Sequence, residues 1–256
     1  MPDLDLALIV VTWNSIRDID TCLTSALSDL EASGLTFRVI VVDGASTDGT
    51  AEYVAQRFPM AELVVSPDNI GFGRCNNLGL THAGFGTDTA PRAAYLLNPD
   101  TQTHPGTARA LFDVLMSDDK IGLAGARLTY GDGSFQHAAF RFPGLRQIYA
   151  EFFATPGRFI EGGFNGRYPR RLYDAGQPFK VDFVLGATMM LRREVIEKTG
   201  MFDAQFFMYC EEIDAQWRLQ RQGRCIDTYQ AIWGPDPRHP GNRLKPVGWG
   251  VRRPQS

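Results

Sequence analysis

Apolar residues in this chain gather into short unbroken runs, separated by stretches in which they recur every three or four positions. The run 6–12 has no polar residue before Thr12, as expected of a strand covered on both faces. It stops at Trp13-Asn14-Ser15, and a helix is predicted over about 16–30. The rhythm then repeats. Strand 37–42 ends at the turn-forming cluster Asp43-Gly44-Ala45-Ser46-Thr47-Asp48-Gly49, ahead of a helix over 50–58. Strand 62–65 leads into Pro67-Asp68-Asn69-Ile70-Gly71 and a helix near 73–83, and strand 93–97 runs directly into Asn98-Pro99-Asp100. Strands alternating with helices predict an α/β fold whose mostly parallel sheet binds ligands at the carboxyl ends of its strands. Each polar cluster falls at such an end.

Beyond the apolar run 121–126 the pattern changes. Tyr130-Gly131-Asp132-Gly133 predicts a hairpin turn, and an irregular stretch continues to about Lys180. Order resumes over 181–191, with a short helix after Arg192, a helix over 212–222 that stops at Gly223, and a strand over 225–232. The last twenty or so residues, from 234, are rich in Pro, Gly and Arg and predict no regular element. A chain of 256 residues with these boundaries reads as one large domain, 1–256.

Charge narrows the function classes. A net charge of -3 gives no overall basic field for nucleic acid. The four cysteines, Cys22, Cys75, Cys210 and Cys225, form no Cys-x-x-Cys pair and suit a reducing cytoplasm. No apolar run is long enough to cross a bilayer, so the expected location is cytoplasmic, with any membrane contact peripheral at the inner face of the cell membrane.

Carboxylates at strand and helix ends carry the candidate chemistry. Asp43 shares its loop with Ser46, Thr47 and Asp48, a set that serves equally as a turn and helix cap. Asp100 follows a buried strand, where a hard cation could take a protein oxygen and fill its other positions with diphosphate oxygens and water; a proline turn is the plainer reading. Tyr209-Cys210-Glu211-Glu212-Ile213-Asp214 sets three acids at a helix start, which the helix dipole favours whatever their role, and an acid there can accept a proton from a sugar hydroxyl. Ile70-Gly71-Phe72-Gly73-Arg74-Cys75-Asn76 follows the third strand and has Asn76 in place of a third glycine, which weakens a dinucleotide reading. Arg74, Asn76 and Asn77 could lie against a phosphate or sugar, or simply cap and solvate a helix. His82, His104, His137 and His239 show no zinc spacing.

In order along the chain, Val10-Val11-Thr12-Trp13-Asn14, Val41-Val42-Asp43-Gly44-Ala45-Ser46-Thr47-Asp48-Gly49, Asn69-Ile70-Gly71-Phe72-Gly73, Leu97-Asn98-Pro99-Asp100 and Tyr209-Cys210-Glu211-Glu212-Ile213-Asp214 resemble glycosyltransferase family 2, and within it bacterial rhamnosyltransferases. The resemblance implies a GT-A fold, Rossmann-like, with helices on both faces of the sheet. It implies a nucleotide-sugar-binding half over about 1–126, an acceptor-binding and catalytic half over about 127–233, and an irregular tail over 234–256. Thr12, Asn14, Asp43, Asn69, Gly71, Asn76 and Asn98 would serve the nucleotide sugar. Asp100 would hold magnesium or manganese (Mg2+ or Mn2+), with His239 standing in for the family's later histidine ligand. Glu212, longer by one bond, occupies the place of the aspartate base, with Glu211 before it. Asp182, Phe183 and Gly186 would line the acceptor site. The implied reaction is inverting, metal-dependent transfer of a sugar, rhamnose from deoxythymidine diphosphate-rhamnose, to a glycan or lipid-linked acceptor in cell-surface polysaccharide synthesis.

Two other readings use the same residues: a sugar nucleotidyltransferase, whose Gly-rich signature should follow the first strand where Thr12-Trp13-Asn14 stands, and a non-catalytic nucleotide-binding relative. Between Phe140 and Tyr173, Arg141, Arg146, Arg158, Arg167, Arg170 and Arg171 are interleaved with Phe142, Tyr149, Phe152, Phe153, Phe159, Phe164 and Tyr168, against Glu151 and Glu161. Such a mixture suits an anionic membrane surface, or a loop that closes over the donor with its aromatics turned inward.

Overall fold

A computed structural model describes residues 4–153 and 163–229 of the protein. Its first half follows the predicted alternation: β1 (Leu6–Thr12), α1 (Ile19–Ser33), β2 (Phe37–Asp43), α2 (Thr50–Arg57), β3 (Glu62–Val65), α3 (Phe72–His82), β4 (Ala93–Leu97), α4 (Thr107–Ser117) and β5 (Ile121–Ala126). The predicted hairpin forms from β6 (Leu128–Thr129) and β7 (Phe135–Gln136), paired antiparallel. The stretch expected to be irregular contains β8 (Ala139–Phe140), α5 (Leu145–Phe152) and α6 (Arg170–Asp174). The run 181–191 is divided among β9 (Phe179–Val181), β10 (Phe183–Val184) and β11 (Thr188–Arg192). Then come α7 (Arg193–Thr199), α8 (Glu211–Arg221) and β12 (Cys225–Tyr229).

One sheet of eight strands, ordered β3-β2-β1-β4-β11-β5-β12-β9, organises the described residues. β1 lies at its heart, parallel to β2 and β4, with every residue buried. Its alternating side chains feed two cores, as a period of two requires. Leu6, Leu8 and Val10 join Leu23 of α1, Val54 of α2 and Leu111 of α4, while Ala7, Ile9 and Val11 join Leu80 of α3, Ile196 of α7 and Leu219 of α8. Helices therefore cover both faces, which explains why the strand sequences are continuously apolar. Gly79 lets α3 lie close to the sheet: a Cβ there would stand 2.6 Å from Cγ2 of Ile9.

The sheet is mixed. β11 enters antiparallel between β4 and β5, and β9 pairs antiparallel with β12. Helix α4, which bridges β4 and β5, has no counterpart among the sequence expectations. Its consequence is to leave a gap that β11 fills, so the segment preceding β11 reaches the same rim as the carboxyl end of β4. Asn98 N–H donates to the Ala187 carbonyl at 3.0 Å across that junction.

Candidate active site

The carboxyl ends of β1 and β2 carry two loops laced to each other. Asp43 is buried and accepts three hydrogen bonds, from Thr12 Oγ1 at 2.8 Å, Ser46 Oγ at 2.6 Å and Ser46 N at 2.8 Å. Asn14, at φ 51°, accepts from Thr47 N at 2.9 Å and donates its own N–H to Ser46 Oγ at 2.8 Å. Thr12 and Asp43 are thus buried beneath the two loops, while Asn14 lies exposed. Trp13, to which the sequence reading gave no role, is 53% exposed beside it. A large apolar ring left open at a strand's carboxyl end was the signal for it.

The next wall is α3. Asn69 Oδ1 caps the entry to the helix by accepting from Gly71 N at 3.1 Å. Asn76 is buried, with Nδ2 donating to the Phe72 carbonyl at 3.0 Å within the helix. Arg74 and Asn77 also point elsewhere. Arg74 donates to the Ala204 carbonyl at 2.9 and 2.6 Å, and Asn77 exchanges two bonds with the Phe202 backbone at 2.8 and 2.9 Å. With Phe72 N on the Phe207 carbonyl at 3.1 Å, they fasten the segment 202–207 along α3. The loop before the acidic helix is therefore docked on the expected nucleotide side.

At the end of β4, the Asn98 carbonyl accepts from Thr101 Oγ1 at 2.7 Å, and the Asn98 side-chain Oδ1 is buried with no hydrogen-bond partner among the described residues. Asp100 is open to solvent, yet the surrounding protein, with the Asp18 carboxylate adding to it, pushes its pKa above the usual range. An oxygen without a partner two positions before a carboxylate that is costly to ionise fits a hard divalent cation. Magnesium-like ions take one or two protein carboxylates and complete their shell with water and phosphate, so Asp100 can serve without a three-residue protein set. Among the described residues no three His, Cys, Asp or Glu side chains form such a set. His239 lies outside the described residues, as do Arg158, Phe159 and Glu161.

Facing this rim is the first turn of α8. Glu211 is buried, its side chain lying against Gly73, with Oε2 lacking a hydrogen-bond partner among the described residues. Burial raises its pKa. Glu212 is half-buried, and its carboxyl is pushed up to about 7, mainly by burial and further by the neighbouring Glu211 charge. A base with that affinity is half ionised near neutrality, where general-base transfer is most effective. Gly186, the residue before Ala187, faces it: a Cβ there would lie 3.8 Å from Cβ and Cγ of Glu212 and 3.9 Å from the Phe72 ring. The metal candidate, the base candidate and the Gly186 segment are therefore joined through the β4–β11 junction.

Two of the three expected acceptor residues make contacts within the protein. Asp182 accepts from Phe142 N at 3.0 Å and from Tyr168 Oη at 3.1 Å, tying the 140–168 segment to the sheet. Phe183 is buried, its ring stacked with Phe140 at 5.5 Å and Phe142 at 5.9 Å between centroids. Of the three, Gly186 lies beside Glu212.

Comparisons with known proteins agree with this architecture. The model of glycosyl transferase family 2 matches residues 7–200. The N-acetylglucosaminyl-diphospho-decaprenol L-rhamnosyltransferase of Mycobacterium tuberculosis is 30% identical over 192 residues, 72% of this chain and 61% of its own length. A low-salt glycan biosynthesis hexosyltransferase of Haloferax volcanii is 25% identical over 236 residues, covering 89% of this chain and 66% of its own. The chain thus spans about three-fifths to two-thirds of the length of these relatives. Among solved structures, GalNAc-T7 with UDP, GalNAc and Mn2+ superposes with a TM-score of 0.62 at 11% identity, covering 89% of this chain and 43% of that one. The mannosyltransferase PcManGT from Pyrobaculum calidifontis, with GDP-Man and Mn2+, does so at 0.57 and 16% identity, covering 93% and 59%. Both share the GT-A fold. With its model matched over most of the length and a relative at this level of identity, the chain belongs to glycosyl transferase family 2.

Proposed function

We propose that this protein transfers a sugar from a nucleoside diphosphate sugar to a hydroxyl of a glycan or lipid-linked acceptor, with inversion, and that Glu212 is the base. The observation that carries the reading is the position of Glu212, a half-buried acid whose side-chain Cβ and Cγ lie beside Gly186, next to the junction at which Asn98 N bonds the Ala187 carbonyl. The acceptor hydroxyl gives its proton to Glu212 as its oxygen bonds to the anomeric carbon, and the bond from that carbon to the diphosphate breaks. Attack opposite the leaving group inverts the centre. A divalent cation held by Asp100 would stabilise the charge left on the nucleoside diphosphate. The rhamnosyl donor is supported by the name of the mycobacterial relative, and magnesium or manganese by the oxygen character of the residues near Asp100.

A panel of sugar nucleotides, assayed for nucleoside diphosphate release with and without acceptor, tests this reading. Deoxythymidine diphosphate-rhamnose is expected to be turned over, and release of pyrophosphate from a nucleoside triphosphate would favour the nucleotidyltransferase alternative instead. Asp100→Ala is expected to abolish turnover and its dependence on added cation. Full activity of that variant in excess chelator would overturn the role of Asp100.

A lipid-linked acceptor requires the site to work at a membrane. Among the described residues no helix is long and apolar enough to cross one. The α5 region offers a surface instead: Leu145, Tyr149 and Phe153 are exposed at 86%, 53% and 59%, four residues apart, with Arg141, Arg146, Arg170 and Arg171 exposed nearby in sequence. Tyr149 and Phe153 stack on each other at 4.7 Å. Sedimentation with anionic liposomes is expected to show salt-sensitive binding that weakens when Arg167, Arg170 and Arg171 are neutralised. Protein that stays in the supernatant at low salt would remove the membrane from the reading.

A further inference from the structure

We infer that Gln216 is a positioning residue for Glu212, acting by clamping the first turn of α8 to the strand segment that the base faces. This rests on the reading of Glu212 as the base. Gln216 sits one turn after Glu212 and is 1% exposed. Its Oε1 accepts from Val184 N at 2.8 Å, and its Nε2 donates to the Val184 carbonyl at 2.9 Å and to the Glu212 carbonyl at 3.0 Å.

Strand geometry explains the arrangement. Along a strand, successive residues direct their N–H and C=O groups to opposite edges. Leu185 N turns toward β8, donating to the Ala138 carbonyl at 2.9 Å. Val184 therefore turns its pair to the other edge, where the Gln216 amide completes both bonds as a neighbouring strand would. Without that amide two buried backbone groups would lose their partners, a cost that packing alone does not recover.

The clamp spans the gap in which the base lies. On one side it holds the backbone of Glu212 itself. On the other it holds Val184, two residues before Gly186, beside which the Glu212 side chain lies. A Leu or Met at 216 would fill the same place between helix and sheet but would hold neither side. The amide fixes both how far Glu212 stands from the Gly186 segment and how well its carboxyl is shielded from water.

Gln216→Met and Gln216→Glu test this, compared with wild type and with Glu212→Gln. The first keeps the volume and removes every polar contact; the second keeps the acceptor for Val184 N and, once ionised, cannot donate. Each folded variant is expected to keep the donor KM and to lose about tenfold to a hundredfold in kcat, the scale of a displaced catalytic group. In Gln216→Met the acid limb of kcat is expected to move below its wild-type position near 7, because a loosened turn admits water to the carboxyl; the added carboxylate of Gln216→Glu pushes the limb the other way, so that variant is read on kcat alone. A fall in melting temperature with kcat unchanged in both variants would overturn the proposal, as would a loss of kcat in Gln216→Met with the limb still near 7. Failure of both variants to fold would also overturn it, by making Gln216 a folding requirement. Full activity of Glu212→Gln would remove the base assignment itself; an inactive Glu212→Gln beside wild-type behaviour at 216 would remove the clamp alone.

Discussion

Replacing Glu212 by glutamine is expected to lower sugar transfer by at least about a hundredfold while leaving donor binding intact, the lower end of what a general base contributes. The wild-type rate should rise with pH through about 7, where the buried carboxyl ionises, and level off above it. The same substitution has a second, independent signature in stability. Because burial raises this pKa from 4.5, the folded protein holds the Glu212 proton more tightly than the unfolded chain does. Stability is therefore unaffected by this group well below 4.5, falls as pH rises between 4.5 and about 7, and carries the full penalty above that. The shift corresponds to at most about 3 kcal/mol, reduced by whatever water reaches the side chain. Glutamine carries no charge to bury, so the inactive variant should be more stable than wild type near about pH 8 and match it near about pH 4. Chemical denaturation at the two pH values checks the stability difference, and a less stable variant at the higher pH would mean that the carboxylate is a structural partner rather than a poised base. If Glu211→Gln is the inactive variant instead, the assignment moves by one residue.

What could be read from the sequence, and what could not, divides along physical lines. β1, β4 and β5 have the bounds expected from their apolar runs, because a strand buried on both faces leaves no polar residue to blur its ends. Helix α4 was missed although Ala108, Leu111, Phe112 and Leu115 fall at helical spacing and are all buried. Its start carries no local cap. The backbone N–H groups of Gly106 and Ala108 are taken instead by the Asp29 carboxylate, at 2.5 and 2.7 Å, from α1. A cap delivered from 77 positions away leaves no mark in a short window.

The site follows the same division. Asp100 and Glu212 announce themselves as acids at element ends, where carboxylates have chemistry to do or dipoles to meet. Gln216 reads as one more polar residue on a helix, and only the Val184 backbone opposite it reveals its part. Asp182 and Asn76 carry bonds that a short window does not show: Asp182 accepts from Phe142 N across the fold, and Asn76 donates to the Phe72 carbonyl within its own helix.

Gly71→Ala is expected to be the most damaging small change near the site, for two separable reasons. Its φ of 87° and ψ of 166° lie in a region that essentially only glycine occupies, which costs about 1 to 3 kcal/mol for any other residue. A Cβ would also stand 2.1 Å from the Phe207 carbonyl oxygen, a backbone atom that cannot swing aside as a side chain can. Relief requires segment 202–207 to lift from α3, breaking the bond from Phe72 N. That movement reaches Glu212, the proposed base, through Tyr209 and Cys210, both left-handed at φ 71° and 70°, which turn the chain straight into Glu211 and Glu212. Gly133→Ala is the control for a positive φ without a close contact. Its φ is 82°, and among the described residues a Cβ there would meet nothing within 4 Å. The control should lose about 1 kcal/mol of stability or a little more and keep its turnover. Gly71→Ala should lose at least about twice that stability, and turnover should fall by about a hundredfold as the base leaves its place. Melting curves and transfer assays on the pair decide the matter: equal losses at the two glycines would mean that the Phe207 contact does nothing to hold Glu212 in position.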